Sequence, residues 1–240
     1  MATLEQYVEA VRDRVRETGF LISHDMGDSA YQRFIRTALR RYSIDRPKIK
    51  VNQIVGAASK YITVNSTNLP SFIDGFSIIL NIEIESPVIA SDESPNYIER
   101  DSWDFYRDST LLYIFLHDHE TSVSENVRLT YTILHTINGL DSETVDTIPA
   151  QDFEAIIYWA VSEALLALSN KFADTIDPTI RADNVNYRSK SVEYRNQAKE
   201  FRLMYKEWIA MPYTPESITR DLDFGYTNYT LWQTHQYSRL

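Results

Sequence analysis

The 240-residue chain is 43% hydrophobic and 24% charged, with six glycines, no cysteine and a formal charge of −10. That length can bury one large core or two small ones, and the composition is globular rather than collagen-like, low-complexity or glycine-rich. Lacking cysteine, the chain has no disulfide, thiolate zinc site or cysteine nucleophile, as suits a reducing cytoplasm; its acidity argues against a protein that grips phosphates.

The N-terminal MATLEQYVEAVRDR has early acids and no apolar run, so no signal peptide is expected. Charges interrupt every apolar stretch, leaving none at the roughly 20-residue span of a bilayer, so no membrane segment is expected. Leu4, Val8, Val11 and Val15 recur at helical spacing and predict a helix over Leu4–Glu17, started by a capping-box-like Thr3 and Gln6. Gly19 and Gly27 bracket a connection. A second helix is predicted over Ser29–Tyr42, capped by Asp28 or Ser29. Ala30, Phe34, Ala38 and Arg41 trace one face of it, beside Ile35, Leu39 and Tyr42. Arg46-Pro47 closes it, because the residue before proline avoids the helical region.

The period then changes to two. Ile78, Leu80, Ile82 and Ile84 alternate with Ile79, Asn81, Glu83 and Glu85, predicting a strand with one wet face. Val127, Leu129, Tyr131 and Ile133 alternate with Arg128, Thr130 and Thr132 inside a second strand, Asn126–His135. Thr110–Leu116 reads as a more continuous apolar strand; Lys48–Val55 and Lys60–Ser66 are weaker ones, and Ser86–Arg100, with Pro87 and Pro95, reads as a loop. The expectation is a small antiparallel sheet or sandwich.

Pro149 opens a third helix along which Phe153, Ile157, Ala160, Ala164, Leu168 and Phe172 repeat, ended by Asp177-Pro178. A fourth is predicted over Ser189–Ala210, with Tyr194, Ala198, Phe201, Tyr205 and Trp208 on one face, stopped by Met211-Pro212. The first two helices are too short to stand alone. The expected architecture is therefore α+β: a bundle of about four helices with an inserted antiparallel β region and an extended C-terminal arm. Its parts are an N-terminal helical pair (1–47), the β region (48–147), a C-terminal helical pair (148–211) and the arm (212–240).

No catalytic constellation is assembled, so no enzyme, cofactor or metal is expected. His117-Asp118-His119-Glu120 has the His-x-His spacing of some metal sites. It lacks a third ligand and an HExxH motif, so a polar turn after a strand is favoured; His135 closes another strand. The acids Asp92-Glu93, Glu99–Asp101 and Asp141–Asp146 match no calcium loop and read as solvated. No G-x-S-x-G, Walker or dinucleotide pattern is present. Arg36, Arg40 and Arg41, with Arg33, Arg46 and Lys48, make a basic end to the second helix. Favourable charge at a helix C-terminus explains it; contact with DNA or a subunit is the functional reading. Arg181, Arg188, Lys190, Arg195 and Lys199 form a second basic run, either a solvated face or a partner to a neighbour's acids. The arm holds Tyr213, Phe224, Tyr226, Tyr229, Trp232 and Tyr237. Aromatic residues disfavour disorder and leave two readings, a strap over its own domain or an arm that docks on a partner.

The runs FIRTALRRYSIDRPKI, LPSFIDGFSIILNIEIESP and VRLTYTILHTI, with Asp101-Ser102-Trp103 and the passage from Ile148 to Trp208, resemble structural proteins of tailed bacteriophages. The plan is similar to that of head-to-tail connector (neck adaptor) proteins over roughly residues 29–210. The resemblance implies a virion protein, made in the bacterial host cytoplasm, that forms a homo-oligomeric, dodecameric ring under the portal protein. It implies further neck or tail partners, a channel through which viral DNA passes transiently, and docking of Phe224, Tyr226, Tyr229, Trp232 and Tyr237 on the portal. An acidic balance suits a channel wall that must not hold DNA. The alternatives are a tail-completion or terminator protein of the same virion, whose sheet builds the ring, and, in another class, a metal-dependent hydrolase using His117 and His119. A soluble regulator with a clasping tail is the fourth reading.

Overall fold

The computed structural model describes residues 2–15, 28–85, 96–109, 111–123, 125–174 and 187–211. The chain separates into two units, Met1–Ile209 and Ala210–Leu240. The first is a mixed α+β structure of helices and two small antiparallel sheets.

Helix α1 spans Leu4–Val15 and buries Leu4, Tyr7, Val11 and Val15, the stripe its spacing predicts. Gln6 Oε1 accepts the Thr3 N–H at 2.9 Å, which satisfies one of the amides a helix start leaves open. Helix α2 spans Asp28–Asp45, one turn beyond the expected end, and stops just before Pro47. Its buried stripe is Ala30, Tyr31, Ile35, Ala38, Leu39 and Tyr42. Arg41, expected on that face, is exposed instead, and its guanidinium lies 5.4 Å over the Trp159 ring. Helix α3, Phe153–Asp174, follows a short 3-10 turn at Ala150–Asp152. Helix α4 is Tyr187–Ala210. The Ser169 and Ser191 hydroxyls each donate to the other's backbone carbonyl, at 2.8 and 2.9 Å, so α3 and α4 approach closely there. Toward the other end aromatic rings fill the gap: Trp159 against Tyr205 at 4.9 Å and Tyr158 against Trp208 at 6.2 Å.

The strands are β1 (Lys48–Val55), β2 (Tyr61–Val64), β3 (Ile79–Glu85), β4 (Trp103–Asp108), β5 (Leu111–Leu116) and β6 (Asn126–Ile133). One sheet has the order β1-β6-β3, the other β2-β5-β4, and every pairing is antiparallel. The two sheets share one core, with Ile62, Trp103, Ile114 and Leu116 from one and Ile82, Val127, Leu129 and Tyr131 from the other. Each such side chain contributes about 1.5–3 kcal/mol on burial. β6 shows the predicted alternation as far as Tyr131, beyond which Thr132 is buried too, and two strands depart further from theirs. A bulge at Leu80 shifts the β3 register between Ile79 and Asn81, so Ile79 is buried and Ile78 is exposed, the reverse of the expected face. β5 is not continuously buried: Ile114 and Leu116 point in, whereas Tyr113 and Phe115 point out. β4 had no prediction, because WDFYRD mixes aromatic and charged residues on both faces.

The helices have their own core, joined by Ile137, Leu140 and Ile148 from the segment after β6. The β region is thus spliced into the bundle through two neighbouring chain crossings, one at residues 46–47 and one at 134–136.

Candidate functional site

Of the three arginines singled out on α2, two are occupied within the chain. Arg36 grips Asp141 through both Nε and Nη2, with Nε 2.9 Å from Oδ2. That bond holds the Asp141 carboxyl below its usual range and the guanidinium above its own. Arg41 donates to Asp45 at 2.9 Å along the helix. Arg40 is exposed and makes no ion pair among the described residues. The structure therefore does not gather Arg36, Arg40 and Arg41 into one free cationic patch. The arm residues Phe224, Tyr226, Tyr229, Trp232 and Tyr237 lie outside the described residues, as do the Asp92-Glu93 pair and Arg181.

The histidine pair does not converge either. His117 Nε2 meets Asp104 at 3.1 Å and His119 Nε2 meets Glu125 at 3.2 Å, so the two rings serve different carboxylates. Glu125 also accepts the Ser122 N–H at 2.7 Å, the main reason its carboxyl is held low. Among the described residues no three His, Asp or Glu side chains gather as metal ligands. His135 sits elsewhere, in the junction between bundle and β region.

That junction holds a cluster of buried polar groups. Buried Asp152 accepts from the Tyr42 hydroxyl at 2.5 Å, Arg46 Nη1 at 3.0 Å and Trp208 Nε1 at 3.0 Å. Arg46 Nη2 reaches on to the Ile209 carbonyl at 3.1 Å, where cations favour a helix C-terminus. The His135 ring spans both crossings, with Nε2 3.0 Å from the Arg46 carbonyl and Nδ1 3.0 Å from the Thr147 carbonyl. Burial holds its pKa below the usual value, against the pull of those carbonyls. Asp146, expected in a solvated loop, is buried and accepts from Ala2 N and Ile148 N at 3.1 and 2.9 Å. Asp152 thus ties α2 to α4, and His135 ties the entry of the β region to its exit.

The aromatic surface that sequence reasoning missed is on the β region, while α4 leaves Val192, Leu203 and Met204 exposed. Tyr61, Tyr106, Tyr113 and Phe115 form a contiguous aromatic face on the outside of the β2-β5-β4 sheet, with Tyr61 4.9 Å from Phe115 and 5.9 Å from Tyr106. Ile49, Val51 and Val55 are 40%, 45% and 66% exposed along β1. The available signal was the alternation of Tyr113 and Phe115 with Ile114 and Leu116, which marks two faces inside an apolar run. Large apolar side chains left in water on a sheet mark a contact surface more often than a reaction site.

Among the described residues no helix is long and apolar enough to cross a membrane. No protein-family model matches the chain, and no curated protein matches it.

Proposed function

We propose that the chain is a head-to-tail connector of a tailed bacteriophage, a neck adaptor that forms a ring under the portal and lines the DNA channel. The observation that supports the reading is a difference within the α+β fold: a bundle held by buried polar contacts bears an inserted sandwich that, outside its core, leaves Ile49, Val51, Val55, Tyr61 and Tyr106 exposed. A reaction site needs converging titratable groups; a ring subunit needs a stiff body and apolar contact surfaces. In this reading the sandwich meets neighbouring subunits or the next ring. Phe224, Tyr226, Tyr229, Trp232 and Tyr237 anchor the C-terminal arm on the portal. A net charge of −10 keeps DNA from adhering to the channel wall as it passes.

A terminator or tail-completion protein of the same virion is the second reading, favoured by the exposed apolar residues of β1, a strand on the edge of its sheet. One experiment separates them. Purified protein is mixed with the portal encoded beside it and imaged by electron microscopy, full-length against a truncation ending at Met211. The adaptor reading expects a ring added to the portal by the full-length chain alone. Rings from both chains keep the adaptor and make the tail a strap. No association with portal overturns the adaptor in favour of tail completion or a role outside the virion.

A further inference from the structure

Four strand edges border the two sheets, and the chain seals two of them. The β3 edge is covered by residues 96–98: the Ile84 N–H donates to the Asn96 carbonyl at 3.0 Å and the Ile98 N–H to the Ile82 carbonyl at 2.9 Å. The β2 edge is covered by its own following turn, where Asn68 Nδ2 donates to the Thr63 carbonyl at 2.9 Å. Among the described residues, β1 and β4 are paired on one side only, with β6 and β5.

The phase of each ladder fixes which residues face outward. The Gly56 N–H donates to the Glu125 carbonyl in the same register as the β1-β6 pair. Antiparallel ladders alternate, so even-numbered residues of β1 bond to β6, while Ile49, Val51 and Val55 turn their N–H and C=O groups away from it. On the other sheet the His117 N–H donates to the Ser102 carbonyl in the β4-β5 register. Phe105 and Arg107 therefore turn their backbone groups away from β5.

Side-chain alternation runs in step with this. On β1 the outward-bonding residues are Ile49, Val51, Gln53 and Val55, three of them apolar, and Lys48 and Lys50 flank Ile49. On β4, Phe105 is outward-bonding, and the residues between are Asp104, Tyr106 and Asp108. Laid antiparallel edge to edge, with Val51 opposite Phe105, the strands bring Lys48 opposite Asp108 and Lys50 opposite Tyr106. In that register Lys50 is also diagonal to both aspartates. That register joins one apolar pair, Val51 with Phe105, to one opposite-charge pair, Lys48 with Asp108, in the phase the ladders leave open, and it sets Ile49 against Arg107; opposite-charge cross-strand pairs favour it.

One chain cannot make this pairing with itself. Asn52 Nδ2 donates to the Asn68 carbonyl at 2.7 Å, tying β1 to the β2 side of the other sheet, and β5 separates β2 from β4. The open edges therefore lie on opposite flanks, the arrangement that joins copies head to tail.

We infer that β1 of one copy adds antiparallel to β4 of the next, and that this strand addition is the contact by which subunits join. The inference rests on the ring shared by both readings above and names its interface. A long edge strand with exposed apolar side chains is a template for such pairing.

The test uses the absence of cysteine in the chain. Lys50→Cys and Tyr106→Cys are combined in the full-length protein and oxidised mildly, free and after mixing with portal, then run on a non-reducing gel. Lys50 and Tyr106 would oppose each other as a non-hydrogen-bonded pair about 4.5 Å apart at Cα, within disulfide reach. The expected result is a ladder of covalent multimers from the double variant and nothing beyond dimer from either single one. Adding Val51→Pro, which removes an amide pointing away from β6, abolishes the ladder while circular dichroism stays unchanged. Monomer bands from both the free and the mixed protein overturn the inference, as does a ladder that survives Val51→Pro. Rings on the portal with monomer bands would leave the connector reading standing and sink the edge contact. A ladder from protein that ignores portal does the reverse.

Discussion

In the bundle, Tyr42 and Tyr205 are almost fully buried, and each hydroxyl ends on a carboxylate, Asp152 at 2.5 Å and Asp45 at 2.6 Å. In the sandwich, Tyr61 and Tyr106 are about half exposed and meet other rings at the surface. Tyr131 shows that the sandwich also seals a tyrosine, its hydroxyl donating to the Pro70 carbonyl at 2.8 Å, but Tyr61 and Tyr106 are left at its surface. Buried polar groups are costly unless fully partnered, and a partnered network rigidifies the part that holds it. Exposed aromatic rings gain their full burial only against another surface. The contrast lies between partnered, buried hydroxyls in the helices and surface rings on the strands, although the helices also leave Val192, Leu203 and Met204 exposed.

The largest expected break in that contrast is Asp152→Ala. It removes the acceptor for Tyr42, Arg46 and Trp208 at once and leaves the half-buried guanidinium without its carboxylate. A loss of about 3–5 kcal/mol is expected in denaturant unfolding, with Tyr42→Phe costing about 1–3 kcal/mol. Gly56→Ala strikes the sandwich instead: a Cβ there would stand 2.2 Å from the Ser122 carbonyl oxygen, which is backbone and cannot swing away. A loss of about 1–3 kcal/mol is expected. Trp103 lies in the sandwich core and Trp159 on the bundle core, so variants that keep one of them as the single tryptophan show by fluorescence whether either region melts ahead of the other.

A subtler effect comes from His135. Its folded pKa is held below the ordinary 6.5, so the unfolded chain binds its proton first as pH falls. Stability therefore drops as pH descends through about 6.5 and levels off below the folded value. The slope of unfolding free energy against pH should flatten in that window in His135→Gln; an unchanged slope would remove the histidine from the account. Smallest is Arg36→Ala. Its pair with Asp141 is largely solvated, and its loss should cost no more than about 1 kcal/mol and less in high salt.

The helices were legible because their buried stripes are long: the Tyr194, Ala198, Phe201, Tyr205 and Trp208 face of α4 packs as its spacing says. β6 was legible for the same reason at period two. β3 misled because one extra residue, Leu80, reverses every side chain before it, and a bulge has no clear local signature in ILNIEIE. β4 was missed because it lies on an edge, where charged residues take both faces. The arginines of α2 were visible as a basic run, but their partners come from afar: Asp141 stands about a hundred positions from Arg36 in the chain. Local spacing carries no information about such pairs. The polar lock around Asp152 was invisible for the same reason, since its members come from α2, the Arg46 that follows it, the turn before α3, and α4.

The two crossings that His135 holds together also bear on how the chain folds. From α2 to α3 the polypeptide makes a detour through all six strands, yet leaves and returns at neighbouring points. An unfolded detour of that length sets an entropic toll on bringing the helices together, growing by about 0.6 kcal/mol per doubling of the loop. Once the strands have paired, the same stretch behaves as a short, stiff link, and α3 finds α2 as if the two were neighbours in sequence. Strand pairing before helix docking is then the faster order, and variants that loosen the sandwich, Gly56→Ala first among them, should slow formation of the bundle they do not touch.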